Sequence, residues 1–178
     1  MSTRNPLITP RVLAVSVSPG GIPKLPQMSA WAGRDGLVGD GRNHAKHIRP
    51  DRAVSLWDLE ILEQLVAEGF PLTPGAAGEN LTVVGLHVQQ MTPGTRLLIG
   101  EAILKLEQPR KPCYVLDAID PRLKDAIVGR CGYMASVVQE GIVRPGMAIA
   151  VANHAAGRAM PIPSSDTNFA VASLAATS

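Results

Sequence analysis

The segment Gln108-Pro109-Arg110-Lys111-Pro112-Cys113 sets a thiol behind two prolines and two adjacent cations. The thiolate form of cysteine attacks electrophiles and binds soft metals, and neighbouring positive charge favours that form. Cys113 is therefore a candidate nucleophile or metal ligand, although the same residue type also serves as a small buried hydrophobe. A second candidate is the run from Gly39 to Arg52, which carries Arg42, Lys46, Arg49 and Arg52 together with His44 and His47. Arginine forks in such a loop suit phosphate or a metal oxo group. The same composition also describes a solvated basic loop. His44 and His47 at HxxH spacing lack a nearby third ligand, so as a metal site the pair is weak.

A third candidate runs from Pro74 to Val83 and contains Gly75, Gly78, Glu79 and Asn80. Glycines free the backbone for close approach to a phosphate, and Asn80 both donates and accepts. Equally, this is a turn into a strand with Asn80 bonding the loop backbone. Glu79 has no carboxylate partner in sequence of the kind glycosidases use. Pro19-Gly20-Gly21-Ile22-Pro23-Lys24 lacks the GK[ST] ending of a P-loop, though Lys24 can add a cation to a shared pocket. No GxSxG nucleophile elbow is present.

Composition narrows the classes. The chain has 178 residues, a formal net charge of +2 and six aromatic residues counting Phe, Trp and Tyr. That is one domain's length, and the charge and scarcity of stacking groups argue against nucleic acid as partner. The two cysteines, Cys113 and Cys131, form no CxxC pair, which argues against a disulfide framework or a structural zinc and suits a reducing cytoplasm. No leader-like apolar region follows Arg4 and no apolar run is long enough to span a bilayer, so no membrane association is expected.

The elements that must position these residues read as short strands separated by Gly and Pro. Strands are expected over Val12–Val17, Ala53–Trp57, Leu81–Val84, Arg96–Ile99, Ala102–Glu107, Met134–Gln139 and Met147–Ala152. Helical spacing of apolar residues covers Asp58–Glu68, with Gly69 as its stop, and Leu116–Val128, where Pro121 separates the first turn. The inferred architecture is a mainly antiparallel β-barrel decorated by short helices. Residues 1–152 form the expected domain, and the Ala-, Ser-, Thr- and Pro-rich stretch 153–178 reads as a poorly ordered tail. Cys131, beside a strand start, is expected to be structural.

In order and spacing, several pieces together resemble the MOSC (molybdenum cofactor sulfurase C-terminal) domain family, in particular its small stand-alone bacterial members. They are Gly39-Asp40 and His44, Arg52-Ala53-Val54-Ser55, Pro74-Gly75, Gly78-Glu79-Asn80-Leu81-Thr82-Val83, Gly94, Gly100, Pro112-Cys113, Gly129-Arg130 and Gly141 to Gly146. The resemblance runs from about Val12 to Val151. It implies a barrel related to the β-barrel domain of pyruvate kinase. It also implies association with molybdenum cofactor (molybdopterin), and the family is further linked to pyridoxal phosphate.

Some members reduce N-hydroxylated compounds with molybdenum ligated by the family's cysteine, and others are proposed to carry sulfur. By that resemblance Cys113 is the molybdenum ligand or a persulfide carrier, and Lys111 lies where a cofactor-contacting residue falls. Asn80 and the Gly75–Gly78 turn would receive the pterin or its phosphate, with Arg42, His44, Lys46 and Arg52 as a cationic wall. The implied partners are a small-molecule substrate and an external electron or sulfur donor protein, and an oligomer is open. A non-catalytic ligand-binding module is the reading from another class.

Overall fold

The computed structural model describes residues 9–41 and 49–152. The expected tail, and the expected site residues Arg42, His44 and Lys46, lie outside the described residues. The strands are β1 (Arg11–Val17), β2 (Leu25–Gln27), β3 (Ala30–Gly33), β4 (Gly36–Leu37), β5 (Val54–Asp58), β6 (Leu81–Val84), β7 (Arg96–Ile99), β8 (Ala102–Pro109), β9 (Tyr133–Gln139), β10 (Gly141–Val143) and β11 (Ala150–Ala152). The helices are α1 (Leu59–Ala67) and α2 (Leu123–Ala126), with single 3-10 turns at Pro50–Arg52, Val88–Gln90 and Tyr114–Ala118.

Eight strands form one curled sheet in the order β11-β7-β8-β9-β5-β6-β1-β2, and β10-β3-β4 form a second. Alternation decides which faces are buried. Ala102, Leu104 and Leu106 of β8 point into the curl with Val12, Val54, Leu56, Leu81 and Val83. The small sheet contributes Ala30, Ala32, Leu37 and Val143 to that same core. Register shifts between Val12 and Ala14 in β1, and at two places in β8, bend the sheet.

The segment before β11 then bridges the ends of the curl. The N–H groups of Gly146 and Ile149 donate to Val12 and Pro10, Val12 donates back to Met147, and Ala150–Ala152 pair with Arg96–Leu98. The expected strand over Met147–Ala152 is therefore split between two neighbours, and only its last three residues form a regular ladder.

The pairing is antiparallel throughout except for β5 and β6, which are parallel. They need a crossover, and α1 lies within it, giving a β-α-β unit inside the barrel. All five residues of β5 are buried, since Val54 and Leu56 face the barrel core while Trp57 faces a second core outside it. That second core comprises Trp57, Leu62, Leu65, Phe70, Leu72, Ala77, Leu116, Leu123, Ile127 and Cys131.

The expected helix over Leu116–Val128 is a 3-10 turn followed by one short helix. Pro121 has no N–H to continue the ladder, and the Asp120 carboxylate takes the Arg122 N–H at 2.8 Å, which restarts the chain as a turn. Strands β2, β3, β4 and β10 were not anticipated. Each is two to four residues long, too short to show a period.

Trp57 links the second core to the backbone beside the Cys113 loop. Its indole Nε1 donates to the Arg130 carbonyl at 2.8 Å, and two residues on the Gly132 carbonyl accepts from Arg110 N at 2.8 Å. Trp57→Phe keeps most of the apolar area but removes the donor and some volume, so it should cost about 1–3 kcal/mol. Urea denaturation monitored by far-UV circular dichroism checks this; a midpoint equal to wild type would show that the indole contact contributes nothing.

Candidate functional site

One end of the barrel opens into a cavity of about 430 Å³ that brings the separate sequence candidates together. Its wall includes Lys24, Asp40 and Gly41, Arg52 and Ser55, Gly78 and Asn80, and the stretch Gln108–Lys111 with Cys113 and Tyr114. Of the described residues expected at a site, Cys113, Arg52, Gly78, Asn80 and Lys111 all line it.

Cys113 arrives there because β8 runs out. Arg110 still pairs with Gly132, but Pro112 cannot donate to a further rung, and Cys113 remains extended at φ −134° before the 3-10 turn begins. Its side chain is exposed on the cavity wall, and both cysteines are free. Cys131 is 1 % exposed within the second core, and burial raises its thiol pKa. This is the structural placement expected of it.

Asn80 is 3 % exposed and holds the cavity floor. Its Oδ1 accepts from Ser55 N and Ser55 Oγ, both at 3.1 Å, while Nδ2 donates to Ser16 O at 3.2 Å and to Asp40 Oδ2 at 2.9 Å. Two donors and two accepted bonds occupy the carboxamide. Of the two roles the sequence left open, the structure places Asn80 in the scaffolding one. Asp40 extends the network, taking Ser18 N at 3.0 Å and Lys24 Nζ at 2.5 Å. The cation expected from Lys24 is thus matched by a carboxylate.

The glycine turn differs from the expected phosphate cradle. The N–H of Gly75 donates to Glu79 Oε1 at 2.7 Å, that of Ala76 to Thr73, and that of Gly78 to Gly75. These donors are consumed within the turn. The glycines serve close packing instead. A Cβ on Gly75 would strike the Lys24 carbonyl, and one on Gly78 would meet Ile22 Cγ2 at 2.9 Å and Arg110 Nη2 at 3.4 Å. Both residues also adopt positive φ, +86° and +85°.

Two groups that sequence reasoning did not assign to the site stand out. Arg110 lines the cavity, donates through Nη2 to the Ala77 carbonyl, and keeps Nη1 buried without a partner. Its position in the Cys113 segment was the signal. Glu79 is fully buried, with Oε1 held by Gly75 N and Thr82 Oγ1 and Oε2 without a partner. Burial raises its pKa, against the Gly75 hydrogen bond and the nearby Arg110 charge. Nothing in the local sequence distinguishes it from an exposed turn glutamate.

Among the described residues, no three His, Cys, Asp or Glu side chains gather as a metal-binding group. Cys113 therefore offers a metal one soft protein ligand from this part of the chain. Arg52, Arg110 and Lys111 give the cavity positive charge that, among the described residues, forms no ion pair with a carboxylate.

Because the folded protein binds the Glu79 proton more tightly than the unfolded chain does, stability should fall as pH rises from the ordinary value of 4.5 through the raised folded pKa. Glu79→Gln keeps an accepting oxygen for Gly75 and Thr82 and removes the titration. Denaturant midpoints against pH should show a decline in wild type that is shallower in the variant. The raised carboxyl of Asp58 is common to both proteins and cancels in the comparison. Parallel curves would show that Glu79 titrates normally.

The MOSC domain model matches residues 43–150. Protein YflK of Bacillus subtilis is 35% identical over 135 residues, covering 71% of this chain and 60% of its own length. YiiM of Escherichia coli is 36% identical over 121 residues, covering 61% of this chain and 52% of its own length, so the chain spans less than two thirds of either relative. The crystal structure of YiiM from Geobacillus stearothermophilus superposes with a TM-score of 0.69 at 26% identity, covering 83% of this chain and 77% of that one. The matched span holds the Cys113 segment, the Asn80 turn and strands β5 to β9 of the curled sheet, and it ends at the first residue of β11. The chain belongs to the MOSC domain family, which is associated with molybdenum cofactor binding.

Proposed function

We propose that this protein binds molybdenum cofactor in the cavity, with Cys113 as the protein ligand to molybdenum, and reduces N-hydroxylated small molecules. The observation that carries this reading is the exposed thiol of Cys113 in a cavity whose wall holds Arg52, Arg110 and Lys111. A soft thiolate suits molybdenum, and a wall of cations suits a pterin phosphate. Arg110 adds to that wall a guanidinium whose Nη1 has no partner within the protein. The residues present therefore fit the group.

When bound, the cofactor supplies two-electron redox chemistry at molybdenum. The chain's own residues would bind and orient. Cys113 would hold the metal from the segment after β8, Arg52 and Lys111 would draw in anionic groups, and the Asn80–Ser55–Asp40 network keeps the floor from moving. Arg42, His44 and Lys46 follow directly on Gly41, a lining residue, and belong to the same reading by that sequence position. Conversion of an N-hydroxylated compound to its amine and water consumes two electrons and two protons. An external donor protein supplies the electrons, since the sequence has no cysteine cluster or dinucleotide fingerprint.

A persulfide carrier is the second reading, favoured by the exposure of Cys113 and its neighbour Tyr114, the latter 70% exposed. An acceptor protein can reach a sulfur placed there. Molybdenum by elemental analysis, with pterin fluorescence, separates the two when applied to wild type and Cys113→Ser from a cofactor-producing host. The expected result is near-stoichiometric molybdenum in wild type and its loss from a folded variant. No molybdenum in wild type, with a transferable sulfur adduct on Cys113, would replace the reductase with the carrier.

A further inference from the structure

The cavity has several positive groups, but they differ in how much binding capacity remains. Lys24 is engaged by Asp40. The N–H groups of Gly75, Ala76 and Gly78 and the carboxamide of Asn80 are spent inside the protein. Lys111 and Arg52 are exposed, with their charge shared with water. Arg110 is different in each respect.

Its main chain is fixed by the Gly132 carbonyl and its Nη2 by the Ala77 carbonyl, so the guanidinium is held at both ends of the residue. Gly78 leaves room for it, because a Cβ there would lie 3.4 Å from Arg110 Nη2 while pressing on Ile22. Nη1 is out of water with no acceptor, and among the described residues no carboxylate approaches within ion-pair distance. The Glu79 carboxyl is near enough to feel the charge, yet its own Oε2 is also unpartnered. A half-buried cation without a hydrogen-bonded counter-charge leaves its field at the cavity it lines, and the guanidinium geometry of arginine suits a tetrahedral anion. A bound oxyanion matches that charge.

We infer that Arg110, laid over the side-chain-free Gly78 and steadied by the Ala77 carbonyl, is the anchoring residue for a phosphoryl group or similar oxyanion in this cavity. The inference deepens the proposed function by naming the anion contact, and it rests on that reading only where the anion belongs to the cofactor. An anionic group of the substrate offers the same chemistry.

The test uses full-length protein from a host unable to make the cofactor, titrated with inorganic phosphate and followed by amide chemical shifts at two ionic strengths. Wild type should show saturable shifts at Gly78, Arg110 and Lys111. Arg110→Gln should weaken phosphate by about tenfold or more, the usual scale for a lost hydrogen bond to a charged group. Arg110→Lys, which keeps the charge but not the fork, should weaken it several-fold and carries the test should the glutamine variant not fold.

No saturable binding to wild type, or unchanged affinity in the folded Arg110 variants, overturns the inference. Repeating the titration on cofactor-loaded protein assigns the source. Blocked phosphate binding places the cofactor's phosphate on Arg110, and retained binding leaves Arg110 for the substrate. A chain that never takes up molybdenum would end the proposed function while the phosphate titration still decided the role of Arg110.

Discussion

The site depends on the way Asn80 is used. Its carboxamide joins Ser16 at the end of β1, Ser55 in β5 and Asp40 in the loop after β4, while its own backbone N–H donates to the Ser55 carbonyl at 3.0 Å. β5 and β6 meet in parallel there, and parallel rungs are slanted and somewhat weaker per residue. A side chain that meets four polar groups at that junction compensates locally, and a buried donor such as Ser55 N is costly to leave without a partner. Asp40 passes the constraint on to Lys24 and Ser18, so one amide fixes the floor and one rim of the cavity together. The carboxamide of Asn80 is thereby fully used within a polar network. Such networks specify geometry more than they add stability.

Around that floor the two cores divide the work. The barrel core, closed by the 146–152 segment, holds β5, β6 and β8 in register and so fixes where Ser55, Asn80 and the end of β8 stand. The outer core of Trp57, Leu116, Leu123 and Ile127 supports the chain on either side of the Cys113 loop. The contrast between the two cysteines follows from this division. Cys131 sits inside the outer core, where burial disfavours its thiolate, and Cys113 sits where a proline ends the strand and leaves the sulfur at the cavity.

Local pattern carried much of this into the sequence. β6 and β7 occupy the residues read from their apolar runs, and α1 follows its Leu59, Leu62 and Leu65 spacing up to the Gly69 stop. The small sheet was illegible, because two- to four-residue strands are made by their partners and leave no period behind. The same reason separates the site's membership from its roles. Cys113, Lys111, Arg52, Gly78 and Asn80 were recognisable by type and spacing, and they do share one cavity. That Asn80 is spent on Ser16 and Asp40, 64 and 40 positions away, is a consequence of closure that no local window contains. The pairing of Lys24 with Asp40 and the burial of Glu79 are non-local in the same sense.

Closure also decides which kind of group is left to meet a ligand. A turn rich in glycine invites the expectation of backbone N–H groups pointing at an anion, but here the turn folds on itself and Glu79 absorbs the Gly75 donor. Glycine's smallness is then used in a different way, to let Arg110 lie against Gly78. The positive side of the cavity is built from long side chains, Arg52 from the 3-10 turn before β5 and Arg110 and Lys111 from the segment after β8, and not from the main chain of the glycine turn. Arg110 brings its charge to the cavity wall beside that turn. Glu79, buried on the protein side and near enough to feel that charge, would offset it when ionised and leave it whole when protonated. Arg110 and Glu79 are brought into one neighbourhood by the segment that follows β8 and the turn before β6.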